Sequence, residues 1–273
     1  NATISDNCAT KALTYALTGA TTLVSTSGQV GTRTFNKGIT TITYTLTDSS
    51  NNVGTATMTV TVNDTIVPTL VIPSNVTQTI VSGCTKSIAI SNATSGDNCT
   101  GSVLSYTMTG ATTQSSTTGQ VGTKTFNRGV TTITFTVTDA SGNTTVKSMT
   151  VTLNDNISPV ITGCPTDFTA PRSCAGPVSW TPPTATDNCS VTLTSNYAPG
   201  DNFPVGTTAV IYTARDPQGN IATCFFNVTI VPMTASATAV NQVSCNGGND
   251  GRASVSVSNS VGTSTYLWSS GAT

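Results

Sequence analysis

The amino-acid sequence predicts an all-β chain built from tandem β-sandwich domains. Three observations lead to this prediction. The chain of 273 residues contains no Glu and no His, so strong helix formers are scarce, whereas Thr and Val, which favour strands, are abundant. Apolar and hydroxyl-bearing residues alternate along several segments, which is typical of strands with one buried face. Similar segments recur after about 90 residues, close to the length of a small sandwich domain.

An internal repeat organises the chain. Asp6-Asn7-Cys8 recurs as Asp97-Asn98-Cys99, and the same offset of 91 residues holds without a gap as far as Asp64 and Asp155. A third, more divergent copy begins with Asp187-Asn188-Cys189. Because a repeated sequence implies a repeated structure, we expect each copy to form one domain with its own core.

Each copy contains two predicted strands joined by a polar turn. Along these strands apolar residues alternate with Thr, so that one face is apolar and the other carries hydroxyl groups. In all three copies a Gly precedes the first Asp of the turn by ten residues. The first strands cover residues 41–45, 132–136 and 209–213, the second strands include 58–62 and 149–153, and the turns are 48–52, 139–143 and 216–220.

The repeat also sets the predicted domain boundaries. Short linkers that contain Pro, at residues 63–68 and 154–159, predict restricted stacking and therefore an elongated array. We expect both ends of the chain to cut through domains. The predicted domains are a partial β-sandwich at 1–64, β-sandwiches at 65–155 and 156–232, and the beginning of a different module at 233–273.

Eight cysteines and no histidine favour disulfide bonds over zinc or haem sites, and therefore predict an oxidising, exported location. Two pairs share a spacing of 15 residues, and both members of a third pair are absent from the second copy. Cys8 and Cys245 are left over, and we expect their partners outside this chain. The alternative is that some cysteines are free buried thiols. The predicted pairs are Cys84–Cys99, Cys174–Cys189 and Cys164–Cys224.

The composition argues against several classes of function. Without His the chain cannot build a Ser-His-Asp or Cys-His nucleophile system, so we do not expect an enzyme. Ten Lys and Arg residues against eleven Asp residues give a net charge of −1, which offers no basic surface for nucleic acid. No apolar run approaches the roughly 20 residues that cross a bilayer, so we expect no membrane insertion in this segment.

The third copy resembles the HYR (hyalin repeat) family. The segments that carry the resemblance are Gly163-Cys164-Pro165 and residues 181–189, 203–208 and 216–224. The first two copies lack the Cys-Pro start but share the repeat with the third. The resemblance implies that all three are immunoglobulin-like β-sandwiches of an extracellular protein.

The last part of the chain resembles the start of an SprB-type repeat, through residues 244–251 and 266–273. Such repeats occur in very large surface adhesins of gliding Bacteroidota. The resemblance therefore implies a secreted cell-surface adhesin exported by the type IX route, and it identifies no catalytic residue. Asp64-Thr65-Ile66 also resembles the O-glycosylation pattern of Bacteroidota, which predicts a glycan on Thr65.

Asp and Asn residues gather at the predicted joints between copies. With an immunoglobulin-like strand order, the polar turn of each copy lies at the end that receives the preceding linker, near the Asp-Asn-Cys loop. Oxygen ligands from three segments are what Ca²⁺ requires, so we predict structural Ca²⁺ at the joints. The alternative is that these side chains only cap turns. The predicted ligands are Asp64, Asp97, Asp139 and Asn143 at one joint, and Asp155, Asp187, Asp216 and Asn220 at the next.

These observations predict a structural stalk or filament segment of a cell-surface adhesin that supports attachment to surfaces and gliding motility. Its ligand, an extracellular surface, glycan or protein, would be bound by another part of the protein. Its other partners would be motility or secretion machinery at the cell surface. The alternatives are a glycan- or protein-binding module that uses the loops around Gly110 to Gly119, or accessory domains of a secreted enzyme.

Overall fold

The computed structural model describes residues 2–5, 10–171, 177–248, 250–260 and 263–265. Every regular element in these ranges is a β-strand, which confirms the all-β prediction. None of the described residues belongs to a helix long and apolar enough to cross a membrane.

The chain divides into two compact units. The predicted domain ranges are a separate division, made from the repeat, and they remain a prediction. The first unit comprises Asn1–Val76, Ser87–Lys124 and Val130–Val151, and the second comprises Thr77–Lys86, Thr125–Gly129 and Thr152–Thr273.

The first copy forms one antiparallel sheet with the strand order β2-β1-β3-β4. Tyr15 lies opposite Tyr44 and Leu17 lies opposite Ile42 in the β1–β3 pair. These four side chains form a buried cluster, because alternate residues of a strand point to the same face. The strands are β1 (Thr10–Gly19), β2 (Leu23–Ser27), β3 (Gly38–Asp48) and β4 (Val53–Val62).

The second copy repeats this sheet and extends it. Its order is β10-β9-β12-β13-β6, and β7–β11 and β5–β8 form two smaller sheets. Tyr106 lies opposite Phe135 and Met108 opposite Ile133, and all four are buried. The strands are β5 (Thr69–Val71), β6 (Val76–Ile80), β7 (Thr85–Ala89), β8 (Thr94–Gly96), β9 (Val103–Gly110), β10 (Gln114–Thr118), β11 (Thr123–Asn127), β12 (Gly129–Thr138) and β13 (Thr144–Asp155).

The third copy has a four-stranded sheet with the order β15-β19-β18-β17 and a separate β14–β16 pair. Strand β15 runs parallel to β19. Trp180 packs against the core of this copy and donates a hydrogen bond of 2.8 Å to the Tyr212 hydroxyl. The strands are β14 (Val160–Thr162), β15 (Phe168–Pro171), β16 (Thr184–Thr186), β17 (Thr192–Ser195), β18 (Gly206–Arg215) and β19 (Ile221–Val231).

The final module begins with an antiparallel hairpin of β20 (Thr234–Asn241) and β21 (Arg252–Ser258). The all-β fold of tandem β-sandwich domains agrees with the expectation from the sequence. The alternation of Thr with apolar residues also behaves as predicted, since buried residues occupy every second position of β12 from Thr131 to Val137.

In the first two copies the equivalent strands, β1 and β9, end at a glycine. Gly19 and Gly110 both have a φ of +96°, in the left-handed region that side chains with a Cβ disfavour. A Cβ at Gly19 would overlap the carbonyl oxygen of Ile39, and a Cβ at Gly110 would overlap that of Val130. Only glycine therefore lets the chain turn this close to the neighbouring strand.

Gly110→Ala should lower the free energy of unfolding by about 3 kcal/mol, because it combines φ strain with overlap against backbone. Gly119→Ala is the matched control, since Gly119 also has a positive φ, +102°, but has open space where a Cβ would lie. It should cost only about 1 kcal/mol. Urea unfolding of both variants measures the difference, and equal losses would contradict the overlap.

Candidate functional site

Three equivalent turns share one hydrogen-bond pattern. Asp48 Oδ1 accepts hydrogen bonds from the backbone N–H groups of Ser50 and Asn52 at 2.7 and 2.8 Å. Asp48 Oδ2 accepts one from Asn52 Nδ2 at 2.8 Å. Asp139 with Asn143 and Asp216 with Asn220 repeat this arrangement. Each Asp thus closes its own turn, as the capping alternative expects.

The hydrogen bonds in these turns favour the charged carboxylates. The side-chain hydrogen bond from Asn52 is the main reason that the pKa of Asp48 lies below its ordinary value. Burial would raise the pKa values of Asp139 and Asp216, but the bonds from Asn143 and Asn220 outweigh it and lower both. All three turns are therefore ionised and closed at neutral pH.

We call the group formed by Asp64, residues 97–99 and residues 139–143 the first joint. Asn143 Nδ2 donates a 3.1 Å hydrogen bond to the Asp64 carbonyl oxygen. One carboxylate oxygen each of Asp64 and Asp97 and the Cys99 sulfur lie within 4.8 Å of one another. Two of the predicted carboxylate ligands, Asp64 and Asp97, are therefore brought together, and Asn143 reaches Asp64 by its amide nitrogen.

Cys99 and Asp64 influence each other's ionisation. The hydrogen bond from the Cys99 thiol lowers the pKa of the Asp64 carboxyl. The same bond, with burial, raises the pKa of the Cys99 thiol above its ordinary value. The sulfur is thus a protonated donor at neutral pH, which slows its reaction as a nucleophile.

We call the equivalent group formed by Asp155, residues 187–189 and residues 216–220 the second joint. Carboxylate oxygens of Asp155, Asp187 and Asp216 lie within 4.8 Å of one another. Asp155 and Asp216 are each only 3% exposed. Asn220 Nδ2 donates a 2.9 Å hydrogen bond to the Asp155 carbonyl oxygen. The structure therefore places all four predicted residues of this joint in one group.

Asn188 ties the second joint to the loop before β7. Its Nδ2 donates to Asp155 Oδ2 at 3.2 Å and to the Gly83 carbonyl oxygen at 2.9 Å. Both joints also contain buried oxygens that have no hydrogen-bond partner among the described residues. These oxygens are Asp97 Oδ1, Asp187 Oδ1 and Asn188 Oδ1.

The disulfide bonds differ in part from the predicted pairs. Cys164 is bonded to Cys224, with Cα atoms 6.2 Å apart, as the sequence analysis expects. Cys84 is bonded to Cys189, with Cα atoms 5.0 Å apart, and Cys99 is a free cysteine. The predicted pairing of Cys84 with Cys99 is therefore corrected.

The predicted pairing of Cys174 with Cys189 is corrected in the same way, because Cys189 is bonded to Cys84. Cys174 itself, like Cys8, lies outside the described residues. The shared spacing of 15 residues reflects the repeat rather than contact. The loop before β7 contacts the second joint, where the Gly83 carbonyl oxygen accepts a hydrogen bond from Asn188, whereas Cys99 lies with Asp64 and Asp97 in the first joint.

Sequence reasoning missed Asn188 of the second joint and its partner Gly83 in the loop before β7. Gly83 and Asn188 carry the polar contact that accompanies the disulfide. A signal was present, since Gly83 directly precedes a cysteine and Asn188 is the middle residue of an Asp-Asn-Cys motif that recurs in every copy. Thr65, the predicted glycosylation site, is exposed, and its modification remains a prediction.

The pH dependence of the Asp turns can be tested at Asp48, which lies outside both joints. Its pKa is lower in the folded state, so its contribution to stability is present at neutral pH and is lost as the pH falls below about 3.8. Asp48→Asn should lower the melting temperature at pH 7 by about 5 °C. At pH 2.5 the difference between variant and wild type should be smaller than at pH 7, because the Asp48 carboxylate loses its stabilising effect as it becomes protonated.

The control for this prediction is Asp201→Asn, which changes an exposed carboxylate that accepts one backbone hydrogen bond from Ala198. Its effect at pH 7 should be much smaller. Thermal melting followed by circular dichroism measures all three proteins. A deficit of Asp48→Asn that is unchanged at pH 2.5 would show that the charge of the turn does not contribute.

Comparison with known families adds to this geometry. Residues 8–62 and 154–230 match the model of the HYR domain. Residues 237–273 match the model of the SprB repeat. The second copy lies between the two HYR matches and repeats the sequence of the first copy.

Relatives of this chain include two proteins named hyalin. The chain is 33% identical over 236 residues to hyalin of Lytechinus variegatus, which covers 83% of this chain and 42% of that protein. It is 36% identical over 220 residues to hyalin of Strongylocentrotus purpuratus, and this match covers 76% of this chain and 17% of that protein. The chain thus spans less than half the length of these relatives.

Among solved structures, mouse cadherin-23 EC22-24 is similar at a TM-score of 0.31 and 15% identity, with 81% of this chain and 86% of that one covered. The fibronectin(III)-like modules of Clostridium thermocellum CbhA give a TM-score of 0.28 and 14% identity. This match covers 56% of this chain and 83% of that chain. On the family matches, the chain contains HYR domains at residues 8–62 and 154–230 and an SprB repeat at residues 237–273.

Proposed function

We propose that this segment is a covalently linked stalk of a secreted, cell-surface adhesion protein. The HYR matches and the hyalin relatives support an extracellular, adhesion-type domain. The observation that supports the stalk proposal is the Cys84–Cys189 bond, which joins the second copy of the repeat to the third. A bond between consecutive copies resists their separation, whereas a bond within one copy stabilises that copy only.

The disulfide also closes a long loop. Cys84 and Cys189 are 105 residues apart, and closing a loop of this length stabilises the folded state by about 4 to 5 kcal/mol on the chain-entropy model. Cys164–Cys224 closes a second loop that overlaps the first. The two bonds therefore interlock and shorten the covalent path along which tension is carried.

Hydrogen bonds at the second joint act together with this disulfide. Asn188 links the Asp155 carboxylate to the Gly83 carbonyl oxygen. Asn220 links its own turn to the Asp155 carbonyl oxygen. The chain contains no His, so imidazole titration does not alter these contacts near neutral pH. Such a joint suits a segment that must keep its geometry outside the cell.

The match to the SprB repeat supports a more specific role. In this proposal the protein is a surface adhesin that is exported by the type IX route and supports gliding motility. The segment would hold a binding region away from the cell, with a surface, glycan or protein as the ligand of another part of the protein. Motility or secretion machinery at the cell surface would then be its partner on the cell side.

Cys84→Ser should increase the contour length to which the unfolded chain extends under force. In the oxidised wild type the covalent path from Cys84 to Cys224 crosses both disulfides and includes only residues 164–189. In the variant the path includes residues 84–164, so the contour grows by about 55 residues, or about 20 nm at roughly 3.6 Å per residue. Single-molecule force spectroscopy measures this length.

Cys245→Ser is the control for the force experiment, because Cys245 is an exposed free cysteine. It should give the wild-type contour length. Reduction of the wild type should extend it at least as far as Cys84→Ser does. Equal contour lengths for Cys84→Ser and the oxidised wild type would refute the covalent stalk.

A second proposal concerns Ca²⁺ at the joints. It is supported by the buried oxygens without hydrogen-bond partners, Oδ1 of Asp97 and Oδ1 of Asp187, which occupy equivalent positions in the repeat. Three carboxylates close together repel one another unless a cation or protons intervene. The second joint fits Ca²⁺ better than the first, because its three acidic residues all supply oxygen, whereas the first supplies the Cys99 sulfur as its third atom.

In this proposal Asp155, Asp187 and Asp216 hold the ion at the second joint, and Asn188 Oδ1 is a further free oxygen beside it. Bound Ca²⁺ would offset the repulsion of the carboxylates and fix the joint. Asp64 and Asp97 are the corresponding residues at the first joint. Asn143 and Asn220 contribute by holding the linker backbone through their side-chain amide nitrogens rather than by binding the ion, and Asp139 contributes by orienting Asn143.

Addition of Ca²⁺ should raise the melting temperature of the wild type. At a Ca²⁺ concentration of 100 times Kd, binding should raise the free energy of unfolding by about 2.7 kcal/mol. Asp187→Asn should remove most of this gain. Asp167→Asn is the control, since Asp167 pairs with Asn227 away from the joints, and should keep it. An equal response to Mg²⁺ at the same ionic strength, or no response at all, would count against the site.

A further inference from the structure

The third copy has a cleft with aromatic walls. Phe168 and Trp180 form these walls, and Thr166, Ser179 and Thr181 also line the cleft. Its volume is about 340 Å³, within the range of about 300 to 1,000 Å³ that is typical of ligand sites. None of the described residues that line it belongs to either joint. The cleft is therefore a candidate site separate from the joints.

Trp180 is partly exposed at a position where the second copy has a buried core residue. It lies seven residues before Asp187, and Ile90 lies seven residues before Asp97, so the two are equivalent when the copies are aligned on the Asp-Asn-Cys motif. Ile90 is 4% exposed, whereas Trp180 is only partly buried. The third copy thus presents part of an aromatic ring to solvent where the second copy completes its core.

The aromatic walls of the cleft are held in place by the core. Trp180 Nε1 donates a hydrogen bond of 2.8 Å to the hydroxyl group of Tyr212, which is buried. Trp180 packs edge-on against Phe226 with ring centroids 5.4 Å apart, and Phe168 stacks on the same ring at 6.0 Å. Side chains that are already ordered lose little conformational entropy when a ligand binds. The walls are therefore preorganised.

One side of the cleft is a short segment that is anchored at two points. Cys164 is bonded to Cys224 of β19. Asp167 accepts hydrogen bonds from the backbone N–H of Asn227 at 2.7 Å and from Asn227 Nδ2 at 3.0 Å. Thr166 lies between these two anchors in the chain, so its position beside the cleft is fixed.

The lining indicates an uncharged ligand that carries hydroxyl groups. None of the described residues that line the cleft is ionisable, so no charge there would offset the desolvation of a charged ligand. Ser and Thr hydroxyl groups both donate and accept hydrogen bonds, as the hydroxyl groups of a sugar do. An aromatic ring also suits the C–H face of a sugar ring. These properties match a neutral sugar.

A peptide fits the same lining less well. The carbonyl oxygens of a bound peptide require hydrogen-bond donors. The indole N–H of Trp180 is already bonded to Tyr212, which leaves the hydroxyl groups of Thr166, Ser179 and Thr181 as the side-chain donors among the described residues of the cleft.

We propose that this cleft binds an uncharged pyranose unit of a glycan. The C–H face of the sugar ring packs against Trp180 and Phe168, and its hydroxyl groups bond to those of the Thr and Ser residues at the rim. A single sugar unit makes contact through few atoms, so its Kd should be on the order of 1 mM. The segment then contacts glycan itself, in addition to any ligand that another part of the protein binds.

Titration of the full chain with neutral oligosaccharides tests this proposal. The probes are hexasaccharides of glucose, galactose, mannose and N-acetylglucosamine, with hexagalacturonate as the charged comparison and decaproline as the peptide. In a Trp268→Phe background Trp180 is the one tryptophan of the chain, so its fluorescence reports on the cleft. At least one neutral probe should change this emission with a Kd on the order of 1 mM or below, and hexagalacturonate should not.

Substitutions at the rim separate binding from folding. Thr166→Arg and Thr181→Arg each place a long charged side chain at an exposed position beside the cleft, and each should weaken binding by at least about tenfold. Thr223→Arg is the matched control, because Thr223 is exposed on the face of β19 opposite to Phe226. It should bind as the wild type does. All three variants should keep the wild-type melting temperature.

Several outcomes would overturn the proposal. They are a lack of binding by every neutral probe, an equal response to hexagalacturonate, and binding of decaproline in place of the saccharides. Equal losses for Thr181→Arg and Thr223→Arg would also overturn it. These measurements do not depend on the Cys84–Cys189 bond or on Ca²⁺, so the stalk and this inference can fail separately.

Discussion

Each repeat depends on one central antiparallel strand pair with a single buried face. In the three copies these pairs are β1–β3, β9–β12 and β18–β19, and large apolar side chains meet across each of them. In the first two copies the opposite face of these strands is largely Thr, whose hydroxyl groups suit solvent and whose branched Cβ suits a strand. This constraint explains how a chain with 8% charged residues has a polar surface.

The few charged residues of the chain therefore act locally, in the turns and at the joints. Asp48, Asp139 and Asp216 close equivalent turns with hydrogen bonds, and they need no partner outside the turn to be stable as carboxylates. Asp64 and Asp155 instead receive contacts from the turn of the following copy. The turns therefore serve two purposes, because each shapes its own strand connection and holds the linker that enters the copy.

The two joints show how one motif can give different chemistry. In the second joint Cys189 is bonded to Cys84, and Asp155, Asp187 and Asp216 come together. In the first joint Cys99 keeps its thiol and donates a hydrogen bond to Asp64. The difference follows from the segment before β7, which brings Gly83 and Cys84 to the second joint.

The sequence by itself determined the features that depend on near neighbours. The alternation around Phe135 predicted a strand, and the polar segment Asp139–Asn143 predicted the connection that follows it. The absence of both counterparts of Cys164 and Cys224 from the second copy predicted that these two cysteines form a disulfide. Only the tertiary structure decided that Cys84 bonds to Cys189 rather than to Cys99, and that Asn188 reaches Gly83. These contacts join separate copies, and spacing within one copy carries no information about which groups meet when two copies pack.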